Sequence, residues 1–155
     1  MALDPSFIGR SYPPTAPYEV GREKIREFAL AVGDLNPAYL DQSAAKALGH
    51  PDVIAPPTFA IALAVPASDQ VIEDPALGLD YSRVVHGDQK FSYSRPLRAG
   101  DRVRVTVRIE NIKSLAGNDV LTVTGEMHEE SGEHLVTTVM TLVARAVPDD
   151  ETKGE

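Results

Sequence analysis

Hydrophobic and polar positions follow two rhythms along the chain, and the change of rhythm divides it. From Arg22, the apolar residues Ile25, Phe28, Ala29 and Val32 recur at i, i+3, i+4 and i+7, the spacing of one buried helical face, and Gly33 is placed to close that helix. From Val103 the period is two. Val103, Val105, Val107 and Ile109 alternate with Arg102, Arg104, Thr106 and Arg108, which predicts a strand with one face inward. Leu121, Val123, Gly125 and Met127 alternate with polar neighbours in the same way. The breaker-free run from Leu135 to Ala146 predicts a central strand, and Val84 to Tyr93 a further strand with Val85, Phe91 and Tyr93 on one face.

Between the two rhythms lies a stretch with neither. Ala55-Pro56-Pro57-Thr58-Phe59 leads into Ala60-Ile61-Ala62-Leu63-Ala64-Val65, with proline at a first helical turn and no polar face. This predicts a helix over about residues 56-66, buried all round and too short to cross a bilayer. Asp41 is placed to cap a short helix through Leu48, with Gly49 as its stop. Pro5, Pro13, Pro14 and Pro17 predict an extended surface lead-in before Tyr18. Ala99-Gly100-Asp101, Ala116-Gly117-Asn118-Asp119 and Ser131-Gly132-Glu133 read as hairpin-like turns, so the sheet is expected to be mainly antiparallel. Helices first and strands after give an α+β domain in which a curved sheet wraps the apolar helix. The expected organisation is a single domain over 1-148 and an acidic disordered tail over 149-155.

Composition narrows the chemistry. The 155 residues are 43% hydrophobic and 25% charged, the balance of one globular domain with a core. The absence of cysteine excludes disulfides, thiolate metal sites and cysteine nucleophiles, and a reducing cytoplasm is the expected compartment. The first residues lack the pattern of a signal peptide, and no apolar run approaches the roughly 20 residues of a membrane span. A net charge of -8 argues against nucleic-acid binding. Arg83 to Lys113 nevertheless carries eight Lys/Arg against three Asp/Glu. That excess would suit an acidic carrier protein or coenzyme A phosphates, but the outward alternation of Arg102, Arg104 and Arg108 reads more simply as a solvated strand face. His50, His128 and His134 lack metal-ligand spacing, and no metal is expected.

The stretch that carries chemistry is Gly33-Asp34-Leu35-Asn36-Pro37-Ala38-Tyr39-Leu40-Asp41, which sets a carboxylate, an amide and a phenol around a helix-breaking turn. Gly-Asp-x-Asn-Pro alone is also an ordinary helix stop. Here it resembles the signature G-D-x-N-P-x-H-x-D of MaoC-like (R)-specific enoyl hydratases and 3-hydroxyacyl dehydratases, matching at Gly33, Asp34, Asn36, Pro37 and Asp41, with Tyr39 at the histidine position. Ile54-Ala55-Pro56-Pro57-Thr58, Val85-His86-Gly87-Asp88-Gln89 and Arg95-Pro96-Leu97-Arg98-Ala99-Gly100-Asp101 resemble the FAS1-like dehydratase branch, in particular the HadA and HadC subunits of actinobacterial 3-hydroxyacyl-carrier-protein dehydratases.

The resemblance implies a hot-dog fold and reversible dehydration of (3R)-hydroxyacyl thioesters, with no cofactor. It implies catalytic roles at Asp34, Asn36 and Tyr39, and substrate-binding roles at Pro57, Thr58, Phe59, His86 and Gln89. His86 is equally readable as a hydrogen-bonded residue at a strand start. A phenol with a pKa near 10 donates a proton but is a poor base at neutral pH. Pro56 and Pro57 lack the N–H that would face a thioester oxygen, which leaves Thr58, Phe59 or a second chain to supply it. The expectation is therefore a substrate-binding subunit of a heteromeric dehydratase in fatty-acid metabolism, acting on acyl-CoA or acyl-carrier protein beside a MaoC-like partner. The alternative is a non-catalytic acyl-CoA or acyl-carrier-protein binding homodimer.

Overall fold

A computed structural model describes residues 2–146. In chain order the elements are β1 (Tyr18–Glu19), α1 (Arg22–Val32), α2 (Pro37–Leu40), α3 (Gln42–Ala47), α4 (Ile61–Ile72), β2 (Val84–Tyr93), β3 (Arg102–Leu115), β4 (Asn118–Glu129) and β5 (His134–Ala144). The strands form one antiparallel sheet in the order β1-β3-β4-β5-β2, and its concave face packs on α4. Val103, Val107, Ile109, Leu121, Val123, Met127 and Leu135 from the sheet meet Phe59 and Val71 in one core, with Ile25 and Ala29 of α1 alongside. This is the expected α+β architecture. The expected tail over 149-155 lies outside the described residues.

α1 begins and ends where the periodicity places it, and Gly33 closes it at φ 74°, a left-handed conformation that glycine adopts without a Cβ penalty. Val32, expected on the buried face, is 52% exposed, because it falls in the last turn beyond the reach of the core. α3 is capped as expected, with Asp41 Oδ1 accepting from Ala44 N at 2.7 Å. α2 is an unforeseen single turn between these helices.

The central helix differs from its expected bounds of 56-66. Pro56 to Ala60 form tight turns, with Phe59 N bonded to Pro56 O and Ile61 N to Thr58 O, and the first helical bond is Ala64 N to Ala60 O at 2.9 Å. Two consecutive prolines cannot donate, so the segment turns before it coils. The helix then runs through Pro66, which faces outward, to Ile72. Nor is it covered all round: Val65, Pro66 and Asp69 are exposed, because the sheet wraps one side only.

Three further expectations are corrected. The lead-in is not loose coil, for Gly9, Tyr12 and Thr15 donate backbone hydrogen bonds to Ile109, Val107 and Val105, covering the β3 edge, and Leu3 is buried. Ala99-Gly100-Asp101 is not a hairpin, because β2 and β3 lie far apart in the sheet order and this turn belongs to a crossover. On β2, an extra residue at Gly87 shifts the register between His86 and Asp88. Val85 therefore opposes Val143 and faces out, while Gln89, Phe91 and Tyr93 oppose Met140, Thr138 and Val136 on the inner side.

Candidate functional site

The α1–α2 turn is built by its own polar groups. Asp34 N bonds to Ala29 O as α1 ends, and Asp34 Oδ1 receives the Asn36 amide at 3.4 Å. Asn36 Oδ1 in turn accepts from Ala38 N at 3.0 Å, capping α2, so the Asn36 side chain is engaged by the backbone through its oxygen. With Pro37 at the first position, α2 holds just long enough to turn Tyr39 inward. Tyr39 is 8% exposed, whereas Asp34 and Asn36 remain at the surface. Burial raises the Tyr39 phenol above its ordinary value, and the Asp34 carboxylate adds to the rise, by its charge and as an acceptor for the hydroxyl. The Asp34 carboxylate thus lies near enough to the Tyr39 phenol to favour its protonated form.

Tyr39 also borders an apolar cleft of about 220 Å³, whose other walls are Ile54, Ala55, Pro57, Tyr93 and Pro96. Tyr93, the last residue of β2, reaches across to the turn before α4, where its hydroxyl donates to Pro57 O at 2.5 Å. Burial pushes the Tyr93 phenol up to about 12, against a smaller opposing pull from the Ala60 amide. The wall formed by Ile54 and Ala55 is tied on both sides: Ala55 N bonds to Leu97 O at 2.7 Å, and Ile54 N to Ala38 O at 3.1 Å, beside Tyr39.

The Pro96 side of the cleft rests on a buried ion pair. Asp101, 5% exposed, accepts from both terminal nitrogens of Arg95 at 2.9 Å and from Arg98 N at 2.9 Å. Arg95 also donates to Pro96 O and, through Nε, to Glu133 on the β4–β5 hairpin. This bidentate geometry fixes the crossover turn.

Of the remaining expected site residues, Pro57 lines the cleft and the others do not. Phe59 is fully buried against Phe28, its ring 5.4 Å away edge-on, and its N–H is bonded to Pro56. Thr58 is exposed at the turn. His86 is exposed, with Nε2 3.2 Å from Asp88 O. Gln89 donates to Lys90 O, while its buried Oε1 has no hydrogen-bond partner among the described residues. Arg102 and Arg104 pair with Glu130, and Arg108 with Glu110, so these cations are matched by neighbouring carboxylates on the outer face. Among the described residues, no group of three or more His, Asp or Glu is placed to hold a metal ion, and no helix is long and apolar enough to cross a membrane.

Sequence reasoning did not single out Tyr93, Ile54, Ala55 or Pro96 as cleft walls. The signal available for Tyr93 was its inward position at the end of a predicted strand.

Comparison with known proteins accords with this geometry. The FAS1-like, dehydratase domain region matches residues 6–138. A UPF0336 protein of Streptomyces coelicolor is 72% identical, covering 96% of this chain and 99% of its own. Among solved structures, a MaoC-like dehydratase superposes with a TM-score of 0.85 at 35% identity over 94% of this chain, which spans only 44% of that protein. The C-terminally truncated HadBC (3R-hydroxyacyl-ACP dehydratase) complex from Mycobacterium tuberculosis gives 0.79 at 29% identity, covering 88% of this chain and 96% of the matched one.

Proposed function

The chain belongs to the FAS1-like dehydratase region family, and from that membership we propose that it is the substrate-binding subunit of a heteromeric (3R)-hydroxyacyl thioester dehydratase in fatty-acid metabolism. The observation that carries the proposal is the Asp34 carboxylate beside a protonated Tyr39 that forms one wall of an apolar cleft. Hydration of an enoyl thioester needs a base that takes a proton from water as its oxygen bonds to Cβ, and an acid that returns a proton to Cα. A phenol held above its ordinary pKa serves as donor and not as base. In the turn before α4, Pro56 and Pro57 have no N–H and that of Phe59 is engaged, so of these four residues only Thr58 has an N–H to offer an enolate oxygen. The cleft therefore binds acyl thioester, and a partner supplies the Asp/His pair.

Two observations support a partner of the same fold. The similar MaoC-like dehydratase is more than twice as long as the segment matched here, leaving room for a second domain of this size, and HadBC is itself a complex. The outward side of α4, with Val65 and Pro66, is left uncovered in the single chain. Co-expression with a MaoC-like chain carrying an intact Asp-x-x-x-x-His spacing tests this: a 1:1 complex by size-exclusion chromatography with light scattering is expected, and separate elution of the two chains contradicts it. The protonated phenol also suits a second reading, a homodimer that binds acyl-CoA or acyl-carrier protein without turnover. Acyl-CoA binding by a stable homodimer that ignores such partners favours it.

A further inference from the structure

We propose that Tyr93 is a length stop: its ring closes the apolar cleft so that this chain takes short acyl groups, up to about seven carbons. The inference rests on the acyl-thioester reading above and adds to it the substrate class and the residue that sets it.

The volume gives the limit. The cleft holds about 220 Å³. At about 30 Å³ for each water- or methylene-sized unit, that is room for about seven. Its walls are apolar ring and aliphatic surface from Tyr39, Ile54, Ala55, Pro57, Tyr93 and Pro96, which suits a hydrocarbon and offers no charge to a polar head.

Tyr93 is the wall that separates this space from the rest of the inner face. On β2 the inward side chains are Gln89, Phe91 and Tyr93 in succession, and the Phe91 ring lies 6.4 Å from that of Tyr93. Tyr93 borders the cleft and Phe91 does not, so along this strand the lining ends at the Tyr93 ring. The hydroxyl latches the ring in place by donating to Pro57 O, tying β2 to the turn before α4. Removing the ring takes away the wall on the Phe91 side, so the cleft gains the volume that the ring fills. Removing only the hydroxyl leaves the wall standing.

Isothermal titration of the full chain with butyryl-, hexanoyl-, octanoyl- and dodecanoyl-CoA tests this. For the native chain, affinity is expected to rise from butyryl to hexanoyl and then to stop or fall. In Tyr93→Ala the rise continues, and dodecanoyl-CoA binds at least tenfold tighter than to the native chain. Tyr93→Phe keeps the native profile, and Tyr93→Leu, a gentler change, moves in the direction of alanine. Native affinity that climbs through dodecanoyl-CoA overturns the length stop, as does an unchanged profile in alanine and leucine variants with native circular dichroism. Failure of every acyl-CoA to bind is a different result, which removes the acyl-thioester reading itself and this inference with it.

Discussion

Asp34 helps to hold Tyr39 in its protonated form: the carboxylate adds its charge and an acceptor to a phenol already raised by burial. The first prediction concerns this pair. Ultraviolet titration of the native chain minus Tyr39→Phe isolates the Tyr39 transition, which is expected above the ordinary tyrosine value. Asp34→Ala should lower it while leaving the part due to burial. A transition at the ordinary value in the native chain contradicts the arrangement.

Alkaline stability follows from two other phenols. Tyr12 is pushed from 10.0 up to about 12 by burial and then by its hydrogen bond to, and the charge of, Asp74. Tyr93 is raised to about 12 by burial. In both, the folded chain holds the proton more tightly than the unfolded chain. Their contribution is complete below pH 10 and is lost as pH rises through 12, so stability falls across that window. Urea unfolding at pH 9 and pH 11 reads this, and Tyr12→Phe should flatten part of the slope.

The Arg95–Asp101 pair is expected to matter for the fold and the cleft together. Asp101→Ala strands a largely buried guanidinium that keeps Glu133 as its remaining partner, and should cost about 3 kcal/mol in urea unfolding. Because the pair fixes Pro96 and the turn that holds Ala55, acyl-CoA affinity should fall as well. A stability change under about 0.5 kcal/mol, the level of an ordinary surface substitution, contradicts this role.

Gly125 on β4 sits where a Cβ would come 2.6 Å from Thr138 Oγ1 on the paired strand. Thr138 is buried, so it has little room to move. Gly125→Ala should therefore destabilise by about 1–3 kcal/mol, and Gly125→Ala with Thr138→Ala should recover much of that loss.

Much of the fold was legible because local patterns and tertiary packing agree. The period-two run at Val103 to Ile109 and the 3.6-residue stripe from Ile25 to Ala29 both face the core as read. What escaped was non-local. The helix expected at 56-66 begins at Ile61, because the cost of two prolines without donors is settled by turn bonds that propensity does not reveal. Val85 faces out, against the simple alternation, because one extra residue at Gly87 reverses it. The proline-rich lead-in docks on β3 through backbone groups, which carry no side-chain signature. At the site, Asp34 and Tyr39 were legible from their spacing. The Tyr93–Pro57 contact joins residues 36 apart in sequence, and only the fold brings them together.

Under the proposed function, this chain lacks a working base and relies on a partner for it. General acid–base groups contribute about 10²–10⁴ in rate, so the native chain alone should hydrate crotonyl-CoA at least about 100-fold more slowly than an intact (R)-specific hydratase. Tyr39→His, which supplies a base beside Asp34, should recover part of that factor, a gain of at least about tenfold. The most direct measurement is the rate of crotonyl-CoA hydration by the native chain alone and with a MaoC-like partner. Negligible turnover alone, and full turnover with the partner that survives Tyr39→Phe, is the expected result. Rapid turnover by the native chain alone, abolished by Asp34→Ala, would contradict it.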